Sequence, residues 1–379
     1  MADARQSAQT TDYNLHGAVG IRLLDARPAD AAVITRQLNA ILKQPLSGPP
    51  DITIRFVDRL ETPSHVRLIG VDDAGFTDNA FLILRSKHKS AAKVQIPFAQ
   101  VGHQPCEIIV ERGLPAVPHL IAIINLTMTA KGVLPLHASA FNYRGIGALA
   151  TGWAKGGKTE VLLAFAAHGA QYIGDEWVYL TRDGQMNGIP EPVRLWKWHL
   201  DEMPQYWAGV KRADRLRLRG LAWSVRILDR LSTDSLSRRI LPSRMIRRAL
   251  PILKRQLNVL VPPTRLFEGS DGPVVGTLQR IFFVASHESP ETLIEEVDSL
   301  DIARRMAFSL QEERAEFMST YLKFRFAFPE QCNELIDQLE QHEHDLLMDA
   351  LANKQAHTIY HPYPVAIASL YNLINPLFD

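Results

Sequence analysis

A chain of 379 residues, 46% apolar and 22% charged, is long enough to bury two ordinary cores, and this composition with a mean hydropathy of −0.08 excludes bulk disorder. A formal charge of +1 excludes a uniformly basic or acidic body, and only two cysteines, Cys106 and Cys332, exclude a disulfide framework or thiolate zinc site; both read as buried apolar side chains. The most apolar run, 119–128, is too short to span a bilayer and no charged-then-apolar signal opens the chain, so a cytoplasmic location is expected.

Residues 1–12 are small and polar and are expected to form a loose tail. A helical apolar pattern follows over 29–43, then strand-like runs over Ile52–Val57, 66–70, 80–84, 94–97 and Cys106–Glu111. Turn residues separate them at 48–50, 72–75 and 102–105. These elements predict an N-terminal α+β domain over 1–131 that carries no motif with an attached chemistry. A helix over 117–130 leads into a single strand over 133–143, which opens a second domain, 132–379.

Gly152 to Thr159 read GWAKGGKT, a full match to the pattern G-x-x-x-x-G-K-[ST]. The apolar run 146–150 before it suits a buried strand, and 160–168 after it has helical spacing. Strand, loop and helix thus come in the order a phosphate-binding loop requires, with the unpaired amides of the helix start aimed at the phosphates. In such a loop Gly152, Trp153, Ala154, Lys155, Gly156 and Gly157 turn their amides around a β-phosphate. Lys158 adds a mobile positive charge and the Thr159 hydroxyl can ligate Mg²⁺. ATP with Mg²⁺ is the expected cofactor.

Residues 170–180 read as two short strands around Asp175-Glu176. An acid at the C-terminal end of a strand beside a phosphate loop is placed to hold Mg²⁺ or to take a proton from an attacking hydroxyl. From about 196 to 260 the pattern is helical and basic: between Lys211 and Arg255 fourteen Lys/Arg stand against Asp214, Asp229 and Asp234, a local balance of +11. Leu216, Leu221, Val225, Leu228 and Leu231 recur near helical spacing. This insertion reads either as the solvated face of helices or as a docking surface for an acidic partner or a membrane. Trp223 is the only aromatic between Lys211 and Arg255, which argues against nucleic acid. Strand signals return over 278–285, followed by helices over Ser299–Glu313, 316–328 and 330–352 and a strand–helix pair over 357–378.

Three features narrow the chemistry: the block PLHASAF containing His137, Gly-Lys-Thr-Glu at 157–160, and Asp175-Glu176 sixteen residues beyond Thr159. Their order and spacing resemble the HPr kinase/phosphorylase superfamily, whose members have a His-bearing strand, a loop ending Gly-Lys-Ser-Glu, and a paired acid before an apolar strand. The resemblance covers about 133–180, and more weakly 258–285, where VPPTRLFEG and LQRIFFVAS are similar to the family's Leu-Phe-Gly turn and following strand. It implies an α/β fold with a phosphate-loop kinase core and mixed central sheet. It also implies that His137 lies near the transferred phosphoryl group, that Lys158 and Thr159 hold phosphates and Mg²⁺, and that Asp175 is the general base. Glu160 and Glu176 would support the metal or the base. The chain departs from the family in having Glu176 where Asp is usual, and in lacking the Arg-Gly-rich segment that supplies a catalytic arginine; Arg255 stands at almost the same distance from the Leu-Phe turn. Its N-terminal domain has no recognisable relation to that family's regulatory domain.

The expected activity is transfer of the γ-phosphoryl group of ATP to a serine-type hydroxyl of a protein, peptide or small molecule. The alternative is a nucleotide-dependent switch, or ATPase, that docks an acidic partner or membrane through its basic segment. A homo-oligomer is compatible with either.

Overall fold

Alternation of buried and half-buried residues marks the first strands, as in β1 (Thr11–Leu15), where Thr11, Tyr13 and Leu15 point inward. β1 turns back on β2 (Val19–Leu24), α1 (Pro28–Leu38) crosses over, and β3 (Ile52–Val57) returns parallel to β2. β4 (Arg67–Leu68), β5 (Ala74–Phe76), β6 (Phe81–Ile83) and β7 (Val94–Ile96) form a meander before β8 (Cys106–Glu111) closes on β3, again in parallel. The strand order is β1-β2-β3-β8-β7-β6-β5-β4. The computed structural model describes residues 10–38, 42–61, 65–69, 74–78, 80–83, 93–103, 105–233, 250–267 and 274–379.

α2 (Leu120–Ala130) carries the chain into a second mixed sheet. Its strands are β9 (Leu134–His137), β10 (Ser139–Tyr143), β11 (Ile146–Thr151), β12 (Gln171–Gly174), β13 (Trp177–Leu180) and β14 (Gln185–Gly188), with α3 (Lys158–Ala166) between β11 and β12. A two-stranded ribbon of β15 (Val193–Trp196) and β16 (Asn258–Val261) then brackets α4 (Lys197–Glu202) and α5 (Arg212–Thr233). The long strand β17 (Val275–Ser286) binds the sheet together: its first residues pair with β14, its middle runs parallel to β11, and it also runs parallel to β19 (Gln355–His361). Between them come β18 (Leu293–Glu296), α6 (Ser299–Glu313), α7 (Ala315–Ala327), α8 (Glu334–Asp337) and α9 (Leu339–Leu351); α10 (Ile367–Ile374) follows β19. The whole is an α/β architecture of mixed sheets.

Three buried clusters hold these layers. α3 and α10 pack on one side of the second sheet through Phe141, Phe165, Leu370 and Phe378, and α6 and α9 cover the other through Met306, Leu310, Leu346 and Leu347. The first sheet is covered by α2 and, unexpectedly for a boundary at 131, by α7 from the far end of the chain: Phe317, Tyr321 and Phe324 join Phe76 and Phe98 in one cluster. Phe98 lies within 6 Å of four rings, those of Phe81, Phe317, Tyr321 and Phe324. Asn333 completes the seam by donating both amide hydrogens, to the Phe98 carbonyl at 2.7 Å and the Val101 carbonyl at 2.9 Å.

Several elements differ from the sequence reading. β1 begins at Thr11, inside the expected tail, because the Asn14–Val19 turn folds Thr11 to Leu15 onto β2. The strand expected over 133–143 breaks at Ala138, whose amide bonds instead to the Glu176 carbonyl, and this break separates β9 from β10. The helix expected over 330–352 is two, α8 and α9, with Asn333 capping the first through its side chain. α2 starts at Leu120 because His119 sits at φ 57°, outside helical geometry. The basic stretch is not helical throughout, since its ends are β15 and β16. Cys106 is buried but Cys332 is exposed, the inward position of that turn being taken by Asn333. Residues 39–41, the acid pair 72–73, Leu84 and the basic residues of 234–249 lie outside the described residues, as does the 268–273 turn. Among the described residues no helix is long and apolar enough to cross a membrane.

Phe98→Ala is expected to destabilise the protein by about 3–5 kcal/mol, as for other fully buried aromatics replaced by alanine, which urea denaturation followed by tryptophan fluorescence would measure.

Candidate functional site

The loop between β11 and α3 bends where its glycines permit it. Gly152 at φ 146° and Gly157 at φ 110° occupy backbone regions closed to most side chains. A Cβ on Gly157 would stand 2.3 Å from His361 Nε2, and that nitrogen donates to the Gly156 carbonyl at 2.8 Å. No side chain caps α3 at Gly157, which leaves the first helical amides available to an anion. Trp153, Ala154 and Lys155 form the exposed tip, while Gly152, Gly156 and Gly157 are buried.

Lys158, the first residue of α3, is 7% exposed and donates to the carbonyls of Gly152 at 3.2 Å and Trp153 at 3.0 Å. Burial lowers its pKa, against the surrounding carboxylates of Glu313, Glu176, Asp175 and Glu160. Its neighbour Thr159 donates its hydroxyl to Asp175, at 3.2 Å and 3.3 Å from the two carboxylate oxygens.

Asp175 follows the end of β12 and is 3% exposed. Ser139, on the adjacent strand β10, donates a second hydroxyl to it. Burial pushes the Asp175 carboxyl up to about 6, opposed by these hydrogen bonds and reinforced by the charge of Glu176. Glu176 has the reverse fate. The hydrogen bond from His137, with Nε2 to carboxylate oxygen 3.0 Å, lowers its pKa despite burial. It holds φ 75°, a left-handed geometry rare for a residue with a long side chain.

His137 ends β9, opposite Trp177 in the pairing with β13. Its Nδ1 meets the carboxylate of Glu313, the last residue of α6. Burial disfavours its charge, but carboxylates on both ring nitrogens outweigh burial and push the imidazole up to about 9. A comparable pairing lies deeper: His199 of α4, 1% exposed, contacts the Glu160 carboxylate at 3.1 Å. Burial raises the Glu160 pKa, and the His199 contact more than reverses that, so the net shift is downward.

These groups line one cleft of about 520 Å³. It includes His137, Lys155, Gly157, Lys158, Thr159, Glu160, Asp175, Glu176 and Arg255 from the sequence-derived set; Gly152, Trp153, Ala154 and Gly156 shape the loop without lining it. The sequence reading missed Arg194, Trp196, His199 and Tyr363 in the wall, and Ser139, Glu313 and His361 behind it. Ser139 stands two positions from His137 inside the PLHASAF block, a signal that was legible. Nothing local marks Glu313, which reaches His137 across 176 residues of chain.

Among the described residues no three His, Cys, Asp or Glu side chains group as a metal site. Mg²⁺, the expected ion, would take only one or two oxygens from protein and keep waters and substrate phosphates as its other ligands. Thr159 and Asp175 offer such oxygens side by side, whereas the carboxylates of Glu160 and Glu176 are engaged by His199 and His137. Compared with models of protein families and with curated proteins, the chain matches none.

The stabilisation from charged His137 is fully present below about pH 6.5, the value of a free imidazole, and is lost as pH rises through about 9. Glu313→Gln removes one of the two carboxylates, so NMR titration of the ring is expected to move to lower pH, and the loss of thermal stability, which begins near pH 6.5 in both proteins, to be smaller and to end at lower pH than in the parent.

Proposed function

We propose that this protein is an ATP- and Mg²⁺-dependent phosphotransferase with a core of the HPr kinase type, which moves a phosphoryl group to a serine-type hydroxyl of a protein, peptide or small molecule in the cytoplasm. The observation that carries this reading is the buried Asp175, hydrogen-bonded to Thr159 at the foot of the Gly152–Thr159 loop and open to a cleft of about 520 Å³. A switch that only binds nucleotide has no need of a buried carboxylate with raised proton affinity beside the phosphate loop.

ATP with Mg²⁺ supplies the transferable phosphoryl group and charge neutralisation on its oxygens. The chain's own residues do the rest by position and charge. The α3 amides and Lys158 hold phosphate oxygens, with Lys158 exchanging its loop carbonyls for them. Thr159 would offer the metal an oxygen ligand. Asp175, pushed up to about 6, is ionised at neutral pH and still basic enough to orient an acceptor hydroxyl and take its proton. His137, held protonated by Glu176 and Glu313, presents positive charge at the cleft wall where negative charge gathers during transfer. Arg255 and Arg194 add cations from the ribbon side.

Asp175→Asn is expected to cut phosphoryl transfer by about 10²- to 10⁴-fold, the usual contribution of a general base, while leaving ATP binding nearly intact. In the parent protein the rate should fall as pH drops through about 6, where Asp175 takes up its proton. Incubation with γ-labelled ATP and cell extract tests the reading directly: ATP turnover with no labelled product would replace it with the nucleotide switch, and an Asp175→Asn variant of undiminished transfer rate would overturn the base assignment.

A further inference from the structure

The 22-residue helix α5 buries one side only. Leu218 and Val225 are buried, with Leu218 packed among Met203, Tyr206, Val210, Val259 and Val261. Leu216, placed with that apolar set by spacing alone, faces the opposite way and is 70% exposed, as is Trp223 at 67%.

At 100° per residue, the outward face is Arg212, Leu216, Arg219, Trp223, Arg226 and Arg230, a stripe about 27 Å long (18 steps of 1.5 Å). It contains no acid. Asp214 and Asp229 project elsewhere, toward Arg217 and Lys254. Among the described residues Arg212, Arg219 and Arg226 have no hydrogen-bond or ion-pair partner. A merely solvated helix face is expected to mix both signs of charge and to hide its large apolar side chains.

We propose that this face of α5 docks the protein onto an anionic membrane surface, its arginines against lipid phosphates and Trp223 and Leu216 in the headgroup boundary. Arginine interleaved with Trp and Leu matches a plane of negative charge lying over hydrocarbon. Tryptophan, with an apolar body and one N–H donor, is the side chain best suited to that boundary. The convex surface of one helix suits a flat lipid plane better than an acidic polypeptide, which would need a groove. The same helix is braced to the cleft: Arg217 donates to the carbonyls of Gln256 at 3.3 Å and Asn258 at 2.6 Å, and Lys254 pairs with Asp229 at 3.1 Å, on either side of Arg255. Docking would therefore hold the helix that braces the Arg255 side of the cleft against the lipid surface. The docking itself rests on α5 and is independent of the phosphotransfer reading.

The test is flotation of the full-length protein with vesicles of phosphatidylcholine alone or mixed with phosphatidylglycerol, without nucleotide. Binding to the mixed vesicles only, weakening with added salt, is expected. Arg212→Gln, Arg219→Gln and Arg226→Gln should each weaken it about fivefold, with unchanged thermal melting because the side chains are exposed. Brominated lipid should quench tryptophan fluorescence in the parent protein and much less in Trp223→Phe. Equal binding to both vesicle types, no binding, binding unaffected by the arginine variants, or capture by polyglutamate beads without vesicle binding would overturn the proposal.

Discussion

The loop from Gly152 to Thr159 is laid directly against the end of β17, and that contact sets what residues it can hold. A Cβ at Gly152 would stand 2.4 Å from the Val284 carbonyl oxygen, one at Gly156 2.8 Å from the same atom, and one at Gly157 3.0 Å from a Val284 methyl. Gly152 and Gly157 are thus required twice, by their positive φ and by close packing on the sheet side, and Gly156 by the packing alone. β17 in turn is fixed by its parallel pairing with β11 and β19, so a shift in that register would displace the loop, the start of α3 and Thr159 together.

Around this fixed loop the charges are sorted by environment. Asp175 and Glu176 are adjacent in sequence, yet one carboxyl is raised by burial and the other lowered by His137. Two neighbouring acids with opposed proton affinities can divide their work, one moving a proton and the other staying charged. The left-handed backbone at Glu176 makes that division possible, since it aims consecutive side chains at different partners. Glu313 extends the pattern by holding the second nitrogen of His137 from the end of α6, tying the cleft to the helical layer that covers the second sheet.

What the sequence disclosed follows how local each constraint is. The loop, its flanking strand and helix, and the spacing to Asp175 were legible because they are set by contiguous chemistry: glycine, lysine and hydroxyl at fixed offsets. Period-two strands such as Cys106–Glu111 were legible for the same reason. The break at Ala138 was not, because it depends on a carbonyl 38 residues away at Glu176. β15 and β16 were hidden within a basic, helix-like composition because their pairing partner lies beyond a long insertion. Leu216 was assigned inward by apolarity, while packing chose Leu218; on a helix with leucines two residues apart, hydrophobicity alone does not say which one the neighbouring layer accepts.

The aromatic seam between the first sheet and α7 has a consequence for the order of assembly during synthesis. Phe76, Phe81 and Phe98 emerge from the ribosome early, but Phe317, Tyr321 and Phe324, which cover them, and Asn333, which satisfies the Phe98 and Val101 carbonyls, come more than two hundred residues later. Until then the nascent N-terminal sheet exposes an aromatic surface, the condition under which chains call on chaperones. The first sheet and α7 are therefore one late-closing folding unit, and the Gly152–Thr159 loop lies in the stretch between them.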